Sequence, residues 1–448
     1  MKKLILLFLL LLFFAGNTLY SQVHPDTAFN SLLRKNNGGW IAGDATFSIA
    51  LPDQRTLWLF GDSFIGTVNS DSSIAPGSHF IRNCAVLQDG DSMRSLYNGT
   101  FASPDAFLPS PDPDSLWYWP EHGLVENDTL KIFFSEFIIS EGVPGFNFKY
   151  TGAYVARFSY PEIEFLDKVR LPYFDMNHVC YGNSVMVDNG YTYIYGRNET
   201  DSVYSVSYPH VARVPVGNIM APWQFYNGNG WSDEPADTYR IGNVAVSQQY
   251  GFFKQDSKYV LLTQEIWLST KIYSYTCNTP GGPLNNKVPL YQTPVLYPGS
   301  FTYNAFPHIQ FTSGGELLVS YNTNGDFWQI FSNVELYRPL FIRVPLTLID
   351  PCFTTGMKEI QPDLQQKPIR FYQNIPNPVE SVTQIKFELS HPQFVSLELR
   401  DMLGRTVRSY INRELQPGTH TVSMDLHSLK SGLYCYGTGQ EFLKLLKN

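Results

Sequence analysis

Cysteine is scarce in this chain and never clustered. Five residues, Cys84, Cys180, Cys277, Cys352 and Cys435, are spread over 448 positions, which excludes a disulfide scaffold and offers no zinc-ligand spacing. Buried free thiols are the expected form. Runs of Lys and Arg are missing from the mature chain as well. With 40 acidic residues against 32 basic ones and a net charge of −8, a nucleic-acid partner is excluded, because neutralising phosphates needs a basic surface. Long apolar stretches are absent except at the start. There, Met1-Lys-Lys, the apolar residues 4–15 and the polar residues 17–22 read as a signal peptide over 1–22, its core too short for a membrane-spanning helix. No cysteine near the cleavage region invites a lipid anchor, and no later segment could span a bilayer. Helix-period segments are missing too, as are a nucleophile elbow, an H-E-x-x-H pair, an EF-hand loop, a Walker loop and a dinucleotide fingerprint. The mature protein is expected to be soluble and exported through the periplasm, to be secreted or held at the cell surface.

What is abundant is aromatic and turn chemistry: 28 Tyr, 32 Phe and 8 Trp beside 33 Gly and 30 Pro, a mixture that suits many short strands and supplies flat faces for sugar rings. Five short apolar runs recur, Leu57-Trp-Leu-Phe-Gly61, Leu130-Lys-Ile-Phe-Phe134, Tyr193-Ile-Tyr-Gly196, Tyr259-Val-Leu-Leu262 and Leu317-Leu-Val-Ser-Tyr321. Their starts lie 73, 63, 66 and 58 residues apart by subtraction. Each follows another apolar run across a turn, at 52–55, 126–128, 188–190, 254–257 and 312–315, which is the signature of a hairpin. Five hairpins at a near-constant interval predict an all-β, five-bladed β-propeller over 23–348. The Pro-rich stretches 103–115 and 276–298 are expected as inter-blade loops. A linker over 349–369 is marked by Pro351, Pro362 and Pro368, and the alternating runs of 370–448 predict a small Ig-like β-sandwich.

A propeller gathers the ends of its inner strands at one mouth. In the first blade a turn near Asp53 brings Asp44 close to Asp62, and neighbouring carboxyl groups push their proton affinities apart, as acid/base work requires. The second blade offers Glu121, with Trp119 for stacking and Glu136 as an alternative acid. Trp40, Trp119, His122, His178, Asn183, Arg240, His308 and Asn322 complete the expected substrate-binding rim. Such a set suits glycoside hydrolysis, with Asp44, Asp62 and Glu121 as the catalytic groups. It needs no organic cofactor, and a structural calcium on the axis stays open. Each residue also has a plainer reading. An Asp after Gly at a strand end serves as a turn or cap, Glu121 suits a structural ion pair, and His122, His178 and His308 suit packing. At the level of the whole protein the alternatives are a glycan-binding lectin or surface adhesin that does not cut, and a structural propeller whose rim binds calcium.

Two resemblances sharpen this reading. The residues Tyr372-Gln-Asn-Ile-Pro-Asn-Pro378, Leu397-Glu-Leu-Arg-Asp-Met-Leu-Gly-Arg405, Pro417-Gly-Thr-His420 and Leu429-Lys-Ser-Gly-Leu-Tyr434 resemble the C-terminal sorting domain of the type IX secretion system of Bacteroidota, which implies export by that machinery. Gly38-Gly-Trp-Ile-Ala-Gly-Asp-Ala-Thr-Phe-Ser48, Leu57-Trp-Leu-Phe-Gly-Asp-Ser-Phe64, Tyr118-Trp-Pro120, Ser320-Tyr-Asn-Thr-Asn324 and Leu336-Tyr-Arg-Pro-Leu-Phe-Ile-Arg-Val-Pro345 are similar to a bacterial family of five-bladed propellers, a domain of unknown function related to arabinanase- and fructanase-type glycoside hydrolases and to endo-D-arabinanases. That resemblance implies a polysaccharide substrate, an arabinan or another furanose-containing glycan, and maps the family's acidic pair onto Asp44 and Asp62. The sequence departs in the fifth blade, where Ala305-Phe-Pro-His308 replaces an expected His-Pro-Glu.

Overall fold

A computed structural model describes residues 23–142, 147–199, 206–266, 268–353, 369–389, 392–401, 405–438 and 441–448. The expected leader, 1–22, and residues 354–368 of the expected linker lie outside the described residues. The chain forms two compact units, Met1–Ile360 and Gln361–Asn448.

The hairpin turns form where the backbone can adopt positive φ. Asn127 and Asp128 sit at +52° and +52°, Asn189 and Gly190 at +47° and +79°, and Gly314 and Gly315 at +59° and +78°. Two successive left-handed residues give the mirror-image turn whose twist matches paired strands, and Asn, Asp and Gly tolerate it best. The first and fourth turns hold a single positive-φ residue, Gln54 at +72° and Asp256 at +53°, and each of the five apolar runs lies on the strand that leaves its hairpin: Thr56–Phe60, Thr129–Ile139, Tyr191–Asn198, Lys258–Gln264 and Glu316–Asn324. Every one of these sits inside its own antiparallel sheet, preceded by Phe47–Ala50, Leu116–Glu126, Val179–Asp188, Tyr250–Gln255 and Phe301–Ser313. The fifth sheet takes the N-terminal strand His24–Pro25 onto Leu340–Pro345, so the two ends of the unit meet in one sheet.

The five leading strands contact one another in a circuit. Phe47–Ala50 lies against Leu116–Glu126, which meets Val179–Asp188; that strand meets Tyr250–Gln255, which meets Phe301–Ser313, and the last returns to Phe47–Ala50. Side chains from adjacent sheets fill the space between them. Leu57 and Leu59 pack with Leu130, Ile132 and Phe134 of the second sheet, whereas Trp58 and Phe60 pack with Leu318 and Phe341 of the fifth. Both faces of the strand are therefore covered, which is why its sequence reads as an unbroken apolar run instead of an alternation. Full burial of one such side chain is worth about 1.5–3 kcal/mol.

One expectation fails here. The stretch 276–298 is not a plain loop, because Asn285–Gln292 forms the outer strand of the fourth sheet. Pro289 hid it in the sequence, and an edge strand is where a sheet tolerates a missing N–H. In the second unit, Ile369–Phe371, Val382–Leu389 and Gly418–Asp425 form one sheet, and Thr406–Leu415, Gln393–Asp401, Gly432–Thr438 and Glu441–Lys447 form the other. Phe387, Leu397, Leu399, Tyr436 and Leu445 are buried between them.

Candidate active site

Asp44 and Asp62 are brought together by the backbone before their side chains are considered. Strands Gly39–Gly43 and Ser63–Gly66 pair with Gly43 opposite Ser63. The Asp44 N–H donates to the Asp62 carbonyl at 3.3 Å, and the Gly61 N–H donates to the Asp44 carbonyl at 3.1 Å. A Cβ on residue 61 would lie 2.6 Å from Asp44 Oδ1, so glycine at that position is what lets the carboxyl approach. The next two residues, Ala45 and Thr46, have φ of +66° and +60°. For a β-branched threonine this is strained, at a cost on the order of 1–3 kcal/mol. Asn322 steadies it: its side-chain amide donates to Thr46 Oγ1 at 2.9 Å.

The two carboxyl groups have different surroundings. Tyr303 donates its hydroxyl to Asp44 Oδ2 at 2.7 Å and accepts from Asn324 Nδ2 at 3.2 Å, and the nearby Tyr337 hydroxyl also favours the charged form of Asp44. Asp62 receives Trp119 Nε1 at 2.8 Å on Oδ1 and Arg82 Nη1 at 3.3 Å on Oδ2. Burial, and then the charge of Asp62, push Asp44 up to about 7. Burial also raises Asp62, opposed by the Arg82 charge and by the Trp119 and Arg82 hydrogen bonds. Among the described residues, the formal cation bonded to the pair, Arg82, sits on Asp62. Of the two, Asp44 therefore keeps a proton the more readily, while Arg82 and Trp119 favour the charged form of Asp62.

Glu121 lies two residues beyond Trp119, at a bulge where pairing shifts between Pro120 and Gly123. Ser135 Oγ donates to its Oε1 at 2.8 Å and Asn183 Nδ2 reaches its Oε2 at 3.3 Å. Burial lifts Glu121 to about 7, against the pull of Arg197. A polar relay ties it to the acidic pair: Asn183 Nδ2 and Arg197 Nε bond the Gln248 carbonyl at 2.7 and 3.1 Å, and the neighbouring Gln249 amide donates to the Ala45 carbonyl at 2.6 Å. Glu136 instead accepts from Thr151 at 3.0 Å. Among the described residues, no group of three or more His, Cys, Asp or Glu is placed to hold a metal ion.

Several rim expectations turn out otherwise. Trp40 is 1 % exposed and stacks on Phe60 at 4.2 Å, inside the core and out of a substrate's reach. His122 Nδ1 accepts from the Val185 N–H at 2.9 Å, which leaves Nε2–H to donate to the Ser48 carbonyl at 3.1 Å; burial drives its proton affinity down to about 4. His308 is fully buried, bonded to Ser48 Oγ at 2.6 Å and Ser320 Oγ at 2.8 Å, and pushed down to about 3 by burial first. Both rings are neutral struts between strands with no nitrogen to spare. His178 is exposed at the end of a short helix, Tyr173–Asn177, with φ +55°. Arg240 lies over the Tyr208 ring at 4.5 Å. Asn322 supports Thr46, as described above.

Residues 26–359 match the family described as Domain of unknown function (DUF5005). The chain belongs to the DUF5005 family. Residues 374–445 match the secretion system C-terminal sorting domain, a type IX sorting tail that marks this DUF5005 protein for export to the cell surface or beyond. No curated protein matches the chain. Among solved structures, a candidate hydrolase from Bacteroides ovatus ATCC 8483 is 22 % identical, with 73 % of this chain and 92 % of that chain covered and a TM-score of 0.61, so the two share a fold. The GH43_1 enzyme from Xanthomonas citri complexed with xylotriose is 13 % identical, over 72 % of this chain and 89 % of that one, with a TM-score of 0.42. An exo-1,5-α-L-arabinanase from a bovine ruminal metagenomic library is 11 % identical, over 69 % and 95 %, with a TM-score of 0.37.

Three DUF5005 site residues escaped the sequence reading: Tyr303, Tyr337 and Arg82. Tyr337 stands in the Leu336–Pro345 motif, the one signal that could have exposed it. Tyr303 and Arg82 carry no motif and reach the acids only through the fold.

Proposed function

We propose that the five sheets are the blades of a five-bladed propeller, that the second unit is an Ig-like sandwich, and that the protein is a secreted glycoside hydrolase acting on a polysaccharide, with an arabinan or another furanose-containing glycan as the first candidate. The observation that carries this reading is the half-buried Asp44 and Asp62 pair, paired through the backbone and bonded differently, Asp44 by Tyr303 and Asp62 by Arg82 and Trp119, with Glu121 connected to it through Asn183, Gln248 and Gln249. A glycosidic oxygen leaves easily only when protonated, and the anomeric carbon needs an electron-rich oxygen on its other side. In the proposed reaction Glu121 or Asp44 gives its proton to the glycosidic oxygen as the C–O bond breaks. Asp62 either attacks the anomeric carbon or takes a proton from the water that does. The water's oxygen ends on the sugar as a hydroxyl that keeps one proton, and its other proton goes to the depleted acid, directly when Asp62 is the nucleophile and by way of Asp62 when it is the base, so the protein is regenerated. Trp119 and Arg82 hold Asp62 in its anionic form.

The second reading, a propeller that binds a glycan without cutting it, is favoured by the fifth sheet, which brings the neutral Tyr303 and Asn324 to the site. The two readings separate on incubating the full chain with arabinan, levan, galactan and xylan and measuring new reducing ends. Hydrolysis of at least one polymer, reduced about 10²–10⁴-fold in Asp62→Asn, supports the first. Binding without new reducing ends supports the second, and full activity in Asp62→Asn removes the assignment.

A further inference from the structure

Beside the acidic pair the protein leaves aromatic surface open to solvent. Phe80 is 40 % exposed, Phe327 51 % and Trp328 82 %, in a chain that buries most of its large apolar side chains. The Phe80 and Phe327 rings meet edge to face at 6.4 Å, and both pack on the buried Phe64, at 5.5 and 6.1 Å. Phe64 in turn meets Tyr337 at 5.9 Å, the tyrosine whose hydroxyl acts on Asp44. A second link runs through Arg82, whose guanidinium lies 5.4 Å from the Phe80 ring and 4.3 Å from Trp117 while bonding Asp62. The Phe80 and Phe327 rings are thus joined to both carboxyl groups by packed side chains, and a buried anchor fixes their orientation, while Trp328 follows Phe327 in the chain.

We propose that Phe80 and Phe327, flanked by Trp328, form a sugar-stacking subsite that grips the glycan chain next to the cleavage point and favours long polymers over short oligosaccharides. The occupant is a sugar ring for two reasons. One face of a sugar ring presents C–H groups, which suit the electron-rich face of an aromatic ring. The patch comprises three side chains, far short of the roughly 800 Å² per partner that a stable protein interface buries. Its continuity with Arg82 and Tyr337 places that sugar on the same chain as the one presented to the acids. The substrate class assumed here rests on the hydrolase reading, whereas the stacking itself does not.

The test compares the full chain with Trp328→Ala, Phe80→Leu and the rescue variant Trp328→Tyr, each in an Asp62→Asn background. Retention is measured by affinity electrophoresis through arabinan, levan, galactan and xylan, and turnover is measured separately in the Asp62 background. Trp328 is so exposed that its loss does not threaten folding, and Phe80→Leu keeps apolar bulk while removing the ring. The expectation is about tenfold weaker retention in each of the two loss variants and recovery in Trp328→Tyr. Retention lost with the aromatics in a protein that never cleaves sustains the subsite and overturns the hydrolase. Cleavage by a protein whose retention ignores Phe80 and Trp328 overturns the subsite and sustains the hydrolase. Neither retention nor cleavage by any form overturns both.

Discussion

Replacing His308 by asparagine removes a ring that is bonded at both nitrogens and enclosed by Trp58, Phe306 and Phe341. At pH 7.5 the lost contacts and the cavity should cost about 2–4 kcal/mol. The pH dependence is the sharper consequence. In the unfolded chain this histidine titrates near 6.5, and burial lowers it to about 3 in the native state. Between those values the unfolded chain binds a proton that the native protein does not. The contribution is therefore complete above pH 6.5 and is lost as the pH falls toward 3. At about 1.36 kcal/mol per pH unit, lowering the pH from 6.5 to 4.5 removes about 2.7 kcal/mol from the wild type through this ring alone. The asparagine variant has no such dependence, and His122, shifted in the same direction, is common to both proteins. The stability gap should therefore narrow by about 2–3 kcal/mol at pH 4.5. Urea unfolding followed by tryptophan fluorescence isolates the effect, because all eight tryptophans precede residue 361 and so report on the first unit only. A gap that stays constant from pH 7.5 to 4.5 would refute the assignment of His308 as a buried neutral strut.

Three further outcomes follow from the site. Arg82→Gln removes the cation that holds Asp62 anionic, so the acidic limb of the kcat/KM profile on the polymer found to be cleaved should move to higher pH; an unmoved limb would show that Asp62 does not set it. Glu121→Gln should abolish most turnover, about 10²–10⁴-fold, and should also stabilise the protein at alkaline pH. The raised proton affinity of Glu121 favours folding fully below pH 4.5 and is lost as the pH climbs through about 7, so the variant should gain about 2–3 kcal/mol on the wild type between pH 5 and 8, read by the same urea titrations. Gly61→Ala places a methyl 2.6 Å from Asp44 Oδ1, and turnover should drop at least about tenfold with the melting temperature little changed; intact turnover would mean that the carboxyl's position is unimportant.

The order of the sheets was legible because Asn189-Gly190 and Gly314-Gly315 can hold the left-handed turns that hairpins demand, and because strands covered on both faces show as apolar runs. The pairing of Asp44 with Asp62 followed from the same geometry, since a hairpin returns its ends to one rim. What was illegible depended on local parity and on distant contacts. The bulge after Pro120 sends Glu121 and His122 to different environments, one against Ser135 and Asn183 and one between Ser48 and Val185, and no residue type announces a bulge. Trp40 looked like a stacking platform because a tryptophan beside glycines reads the same whether its face is open or covered by Phe60. Tyr303 lies 259 residues from Asp44, and only the closing of the circuit joins them. The sorting tail was readable throughout because its motifs act as an address and are contiguous in sequence.

The most direct test of the raised proton affinity of Asp44 is a carbon-13 NMR titration of the full chain labelled at the aspartate carboxyl carbon, run beside Asp44→Asn. The site predicts a carboxyl resonance with a midpoint near 7 that vanishes in the variant. If every aspartate instead titrates below about pH 5, the acids are ordinary surface groups and the catalytic account fails.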